Sequence, residues 1–171
     1  MRKITHQERD TINTYIKNGI DISALIEGKD IQNQNFNRAI ISKMERVKDD
    51  ISGCSFAFAK LGSKEIPLSI KILQTKMQNC NFECAEFIGT AWIRNCDAQN
   101  CNFKGADVSN VDYRFTNFLG SSFCESKIRI SSKSGFGCKF PKEMWQELTK
   151  QWDMKINVIS QSEELKNKEN V

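Results

Sequence analysis

The chain has little of what catalysis or membrane insertion needs. It contains one histidine, His6, placed at the start of an expected helix, where it reads as an exposed, incidental residue rather than a catalytic one. No nucleophile-elbow, phosphate-loop, dinucleotide or zinc-protease motif occurs, so an enzyme is not expected. No apolar run is long enough to cross a bilayer. Arg2 and Lys3 are followed by no apolar stretch of the kind a signal peptide carries. Lys and Arg form no cluster, and the net charge of +4 is spread along the chain, so no direct binding of nucleic acid is expected. At 171 residues the chain reads as one domain with a real core.

What the chain does have is a period. Ala91 to Ile130 divides into blocks of five: AWIRN, CDAQN, CNFKG, ADVSN, VDYRF, TNFLG, SSFCE and SKIRI. Each block starts on a compact residue, from Ala91, Cys96 and Cys101 to Ser121 and Ser126. The third is large and apolar, as in Ile93, Phe103, Val108, Tyr113, Phe118, Phe123 and Ile128, with Ala98 the small exception. Five fits neither the helical nor the strand period. Positions one and three point inward as in a pleat, and a turn follows, so four blocks close a square coil of about twenty residues. Coils stack at about 4.8 Å. Stacking is what makes the core, because one coil cannot bury its own apolar residues.

Cys101-Asn102-Phe103-Lys104-Gly105, Ala106-Asp107-Val108-Ser109-Asn110 and Thr116-Asn117-Phe118-Leu119-Gly120 resemble the pentapeptide-repeat family, whose consensus block is A-(D/N)-(L/F)-x-x. The resemblance implies an all-β solenoid, a right-handed quadrilateral β-helix. Some members of that family are DNA mimics that bind type II topoisomerases such as gyrase and dimerise through a C-terminal helix.

The chain divides into an N-terminal capping helix (1–18), repeats (19–130, regular from about 50) and a C-terminal part (131–171). Thr5 and Glu8 form a capping box for the first helix, Ile12, Tyr15 and Ile16 its apolar face, and Gly19 its stop. From Ala24 the five-residue frame is imperfect. Residues 37–49 admit two readings, an irregular coil or an amphipathic helix bearing Ile40, Ile41, Met44 and Val47. Arg46 is the misfit, since it stands where an apolar residue should point inward. The frame slips at Ser69 and at Thr90, and both slips fall at one corner, as stacked bulges.

Counting faces from that corner, face one stacks Ile31, Ile51, Ile72, Ile93 and Tyr113. Face three stacks Ile41, Leu61, Phe82, Phe103 and Phe123, beside a small column of Ala39, Ala59, Cys80, Cys101 and Ser121. After Ile130 come a Ser/Gly-rich loop, a helix from Pro141 to about 152, a short strand at Met154–Ile159 and a polar tail.

Seven cysteines make an odd number. Those at first positions (Cys54, Cys80, Cys96, Cys101) read as small buried hydrophobes in a reducing cytoplasm. No metal or other cofactor is expected, because those thiols face a filled core with no histidine near. A Cys80–Cys101 disulfide has a plausible span and poor side-chain vectors.

Two constellations are candidates for contact with a partner. Glu45, Glu65, Glu86 and Asp107, followed by Lys127, would stack as a carboxylate stripe on face four, read as a solvated face or as an imitation of a phosphate backbone. Met144, Trp145, Leu148 and Trp152 form the apolar side of the C-terminal helix, a cap or a homodimer seam. The functional expectation is a non-enzymatic scaffold that binds an unidentified protein through its rigid outer faces. The alternative is a DNA mimic that binds a type II topoisomerase.

Overall fold

Every strand pairs parallel with the strand one coil away. The computed structural model describes residues 1–130 and 134–144. After β1 (Arg2–Lys3), α1 (His6–Lys17), α2 (Ser23–Ile26) and β2 (Lys29–Asp30), the chain enters a stack of coils with four faces. Face one is a sheet of β4 (Met44–Val47), β6 (Ile70–Leu73), β8 (Ala91–Arg94) and β10 (Val111–Asp112). Face four is a sheet of β3 (Ile40–Ile41), β5 (Lys60–Gly62), β7 (Glu86–Ile88), β9 (Asp107–Val108) and β11 (Lys127–Ile128). The other two faces are held by single bridges, Asp50–Lys76–Asp97–Asn117–Lys139 on face two and Asn35–Ser55–Asn81–Asn102–Ser122 on face three. Residues 37–49 are thus a coil carrying β3 and β4, not a helix.

The pleat predicted from the blocks is present. First and third residues are buried from Cys54 to Ser121 outside the loop 63–69, with Phe123, Ser126 and Ile128 half-buried in the last coil, and the third residues make the core. On face three Phe36, Phe56, Phe82, Phe103 and Phe123 stack ring on ring, with centroids 5.5, 5.2, 5.0 and 4.7 Å apart. Such offset pairs are favourable beyond the area they bury. The two frame slips lie one above the other, since Ile70 pairs with Ala91 directly after Ser69 and Thr90.

Below Ile70 the expected columns are displaced by one face. Met44 pairs with Ile70, and Lys60 with Glu86, twenty-six residues on. The coil above needs twenty-one residues and the next one twenty. The surplus is the loop 63–69, which leaves the square at the corner after face four. Its Ile66 is 41% exposed and forms no part of the core. In consequence Ile72 stands on Arg46, while Leu61 stands under Phe87 and over Ile41. The small column beside the Phe ladder runs from Cys54 through Cys80 and Cys101 to Ser121, and Ala39 and Ala59 belong to the next corner. Gly62 makes the exit. Its φ is +108°, and a Cβ there would lie 2.2 Å from the Ile88 carbonyl oxygen.

Corners explain the fifth position of the block. Asn79, Asn95 and Asn100 have φ of +58°, +55° and +57°, and so do the less suited Phe58 (+59°), Cys84 (+52°) and Phe115 (+59°). The next N–H bonds back three residues, Ala106 to the Phe103 carbonyl and Ser121 to that of Phe118, both at 3.0 Å. This is a β-turn with its positive φ at the third residue, the type II pattern. Asn tolerates that conformation, whereas a bulkier residue gives up roughly 1–2 kcal/mol.

Two corners carry ladders of compact donors. Thr75, Cys96, Thr116 and Cys138 donate to the carbonyls of Arg46, Ile72, Ile93 and Tyr113, each one coil below. Cys54, Cys80, Cys101 and Ser121 do the same to Ile31, Ile51, Met77 and Ala98. The cysteines are more than small hydrophobes: each gives its S–H to a carbonyl of the coil below, at Ile31, Ile51 and Tyr113 beside the turn N–H that the same carbonyl accepts. Burial pushes the Cys54 thiol up to about 12 and those of Cys96 and Cys138 to about 11. The neighbouring Cys101 thiol, together with burial, raises Cys80 further. All seven thiols are free, and Cys84 and Cys124 are exposed. Titration with a thiol reagent without denaturant should therefore modify Cys84 and Cys124 first, with Cys54, Cys80, Cys96 and Cys101 slow. Rapid modification of all seven would contradict this burial.

Both ends are packed against what flanks the coils. At the start, Thr5 and Glu8 form the expected capping box. α1 ends with the Gly19 N–H on the Ile16 carbonyl and the Ile20 N–H on that of Tyr15, a Schellman stop. Ile12 of this helix is buried in the core. His6 is exposed, its Nε2 3.6 Å from Asp10. Arg46, the misfit, is buried and fully engaged. It donates to the Ile26 and Lys29 carbonyls, both at 2.7 Å, and to Asp49 at 3.1 Å. At the far end Phe140 stacks on Phe118 at 5.2 Å. A helical turn at 142–144 follows Pro141, with Met144 buried against the core. Trp145, Leu148 and Trp152, the strand expected at Met154–Ile159 and the tail lie outside the described residues. No described helix is long and apolar enough to cross a membrane.

Candidate functional site

The carboxylate stripe is the first site to place. Glu86 and Asp107 do stack, in register on face four. The other two expected members are elsewhere. Glu45 is on face one, in register with Lys71 and 3.9 Å from it. Glu65 is in the exposed loop, where the Ser63 hydroxyl donates to it at 2.5 Å. The reason is the same loop: it removes one block from the winding and shifts every earlier residue by a face. Above Ile40 the column on face four therefore reads Lys60, Glu86, Asp107, Lys127, with an ammonium on each side of the carboxylate pair. Lys127 lies 3.7 Å from Asp107. The Ser109 hydroxyl, ahead of its N–H and of Lys127, outweighs the modest burial of Asp107 and holds that carboxyl below its ordinary range. This is a mixed-charge column with two carboxylates at its centre.

Face one is built differently. Its strands are the longest in the stack, so each of β4, β6 and β8 presents two outward residues. The second-position column is Glu45, Lys71, Trp92 and Asp112. The fourth-position column is Val47, Leu73 and Arg94, continued by Arg114. The Arg94 guanidinium lies over the Trp92 ring, 3.7 Å from its centroid, a close cation–π contact. Asp112 accepts from Arg94 at 2.5 Å and from the Arg114 Nε at 3.1 Å. Burial pushes the Asp112 carboxyl up, but the two arginines outweigh it and leave it below the usual range. Arg94 Nε is buried with no hydrogen-bond partner among the described residues. The Arg94 side chain is 18% exposed, and Val47, two strands away with Leu73 between, is 48% exposed.

Trp92 and Arg94 were missed as a unit because the block frame treats position four as featureless. The signal was available: two residues apart on one strand, they must share its outer side. Among the described residues no cluster of His, Cys, Asp and Glu could hold a metal ion.

No known family model matches the chain, and no curated protein matches it. Among solved structures it is similar to a pentapeptide repeat protein from the thylakoid lumen of Arabidopsis thaliana, at 15% identity and a TM-score of 0.31, over 81% of this chain and 86% of that one. It is also similar to two trypsin-treated variant forms of QnrB1, a plasmid-mediated fluoroquinolone resistance protein. The first is at 16% identity and a TM-score of 0.24, over 72% of this chain and 86% of that one. The second is at 11% identity and a TM-score of 0.20, over 74% and 91%. These neighbours are pentapeptide-repeat proteins.

Proposed function

We propose that this chain, which resembles pentapeptide-repeat proteins, is a non-enzymatic scaffold that binds a protein partner through face one of a right-handed quadrilateral β-helix. The observation that carries the reading is Trp92, set outward in the middle of a flat sheet with the Arg94 guanidinium stacked on it and held there by Asp112. Trp and Arg dominate the energetics of protein contacts when a rigid support spares them the entropy of ordering. Here the indole and the guanidinium lie together, Leu73 separates Arg94 from the exposed Val47 two strands away, and Glu45, Lys71 and Arg114 share the face. A DNA mimic would want a long unbroken run of carboxylates, and Lys60 and Lys127 bound the one pair that stacks. A homodimer through the segment bearing Met144, Trp145, Leu148 and Trp152 remains part of the proposal, with Met144 packed against the last coil.

The test is affinity capture by the full chain, compared with Trp92→Ala and with Lys60→Glu on face four. Trp92 is an outward residue, so its removal leaves the core intact. The expected result is a partner retained by wild type and Lys60→Glu and lost by Trp92→Ala. Equal retention by all three would move the contact off face one. A purified topoisomerase whose supercoiling activity responds equally to wild type and Trp92→Ala would favour the mimic instead.

A further inference from the structure

Parallel coils bond to each other by a fixed rule on face three. The second residue of a block donates its N–H to the first residue of the coil below: Ser55 to Gln34, Asn81 to Cys54, Asn102 to Cys80, Ser122 to Cys101, all at 2.9 Å. The third residue donates to the second residue of the coil above: Phe36 to Ser55 at 2.7 Å, Phe56 to Asn81 at 2.6 Å. Asn35 is the second residue of the lowest coil. By this rule its N–H and its carbonyl both point away from the stack, and neither has a hydrogen-bond partner among the described residues. Other faces have this end occupied. On face four Asp21 bridges Ile40, β1 lies along β2, and on face one Arg46 reaches down to the Ile26 and Lys29 carbonyls.

What stands opposite Asn35 is α1, and it does not fill the space. A groove of ≈ 420 Å³ runs between the helix and residues 33–37. Its accessible apolar lining is the half-buried Ile4 and Ile16, with Ile12 and Phe36 almost wholly buried behind them, and the amides of Asn13 and Asn33 also line it. Its one charged side chain is Arg9, for which no ion pair is formed among the described residues. The neighbouring Glu8 is held by Arg2 and Lys29, and Asp10 faces His6.

We propose that this groove binds an extended peptide segment bearing an Asp or Glu side chain, which adds to Asn35 as one further strand. An exposed edge takes a strand because the backbone bonds are already aimed. The half-buried Ile4 and Ile16 offer apolar contact to a side chain of the added strand, and the unpaired guanidinium selects a carboxylate, which it can bind through two parallel bonds. Nucleic acid is disfavoured, since no exposed aromatic lines the groove to stack a base. The site is independent of face one, so failure of either reading leaves the other standing.

The experiment pans a phage-displayed library of random dodecapeptides against the immobilised full chain. Enriched sequences are then synthesised and titrated by fluorescence anisotropy. The expected peptides carry an Asp or Glu within an extended, β-branched stretch. Asn35→Pro deletes that unused N–H, along with the side-chain oxygen that accepts from the Asn37 N–H at 2.9 Å, and should weaken binding about tenfold. Arg9→Gln should weaken it several-fold and flatten its salt dependence. If Asn35→Pro does not fold, amide exchange on wild type decides instead: the Asn35 N–H should exchange fast alone and slow with peptide bound. No enriched peptide, equal binding to both variants, or an Asn35 amide that exchanges equally fast with and without peptide would overturn the proposal.

Discussion

Arg46→Ala should cost about 3–5 kcal/mol of folding stability, the range for breaking a buried ion pair by removing one partner. The Arg46 and Asp49 side chains are 3% and 7% exposed, so water cannot replace what is lost. Alanine would leave the Asp49 carboxylate without its cation, two carbonyls without a donor, and a void under Ile72. Removing both charges should be milder than removing one, because an apolar replacement of a buried pair is often neutral. Arg46→Met with Asp49→Ala is therefore expected to unfold at a higher urea concentration than Arg46→Ala alone. Since each coil touches only its neighbours, hydrogen exchange should show the loss in the first coil before the last. An unchanged urea midpoint for Arg46→Ala would mean the pair is solvated.

Phe103→Ala should cost a similar amount, about 3–5 kcal/mol, for a different reason. Phe103 has a ring on each side, Phe82 at 5.0 Å and 4° and Phe123 at 4.7 Å and 6°, with Phe118 edge-on at 5.8 Å. Deletion opens a cavity in the middle of a column whose neighbours are fixed to their own coils by backbone bonds. They cannot slide together to fill it. The same change at Phe36, which has a stacked ring on one side only, should cost less. Equilibrium unfolding of the two variants checks the order, and equal losses would show that the ladder does not act as a column.

Much of this was legible in the residues, and the failures have a definite cause. The five-residue period, the inward first and third positions, the upper Phe rings and the capped first helix all follow from local rules that the coils obey. The register below Ile70 does not. Lys64-Glu65-Ile66-Pro67-Leu68 has the length of a block and an Ile in its third place, so it passes for a face of the square. It is a loop, flagged only by Gly62, Ser63 and Pro67. One miscounted block moved Ile51 from beneath Met77 to beneath Ile72 and assembled a stripe from carboxylates on different faces. Arg46 was legible as an anomaly, but its partners were not, since they come from a segment, Ile26 to Lys29, that follows no period. The positive φ of the fifth position was hidden for another reason. Asn and Gly hint at it, while Phe58, Cys84, Phe115 and Glu125 argue against it locally and are overruled by the stacking above and below.

The two ladders of compact donors amount to a degenerate alphabet. A corner carbonyl asks for one proton and a small volume, and a thiol, a hydroxyl or a methylated hydroxyl can each answer. Along one corner the letters read Thr75, Cys96, Thr116, Cys138, and along the other Cys54, Cys80, Cys101, Ser121. Exchanges within that set alter the strength of a bond and leave the winding alone. Drift can therefore rewrite these columns one letter at a time, and the oxidant sensitivity of the chain can change without any change in its shape.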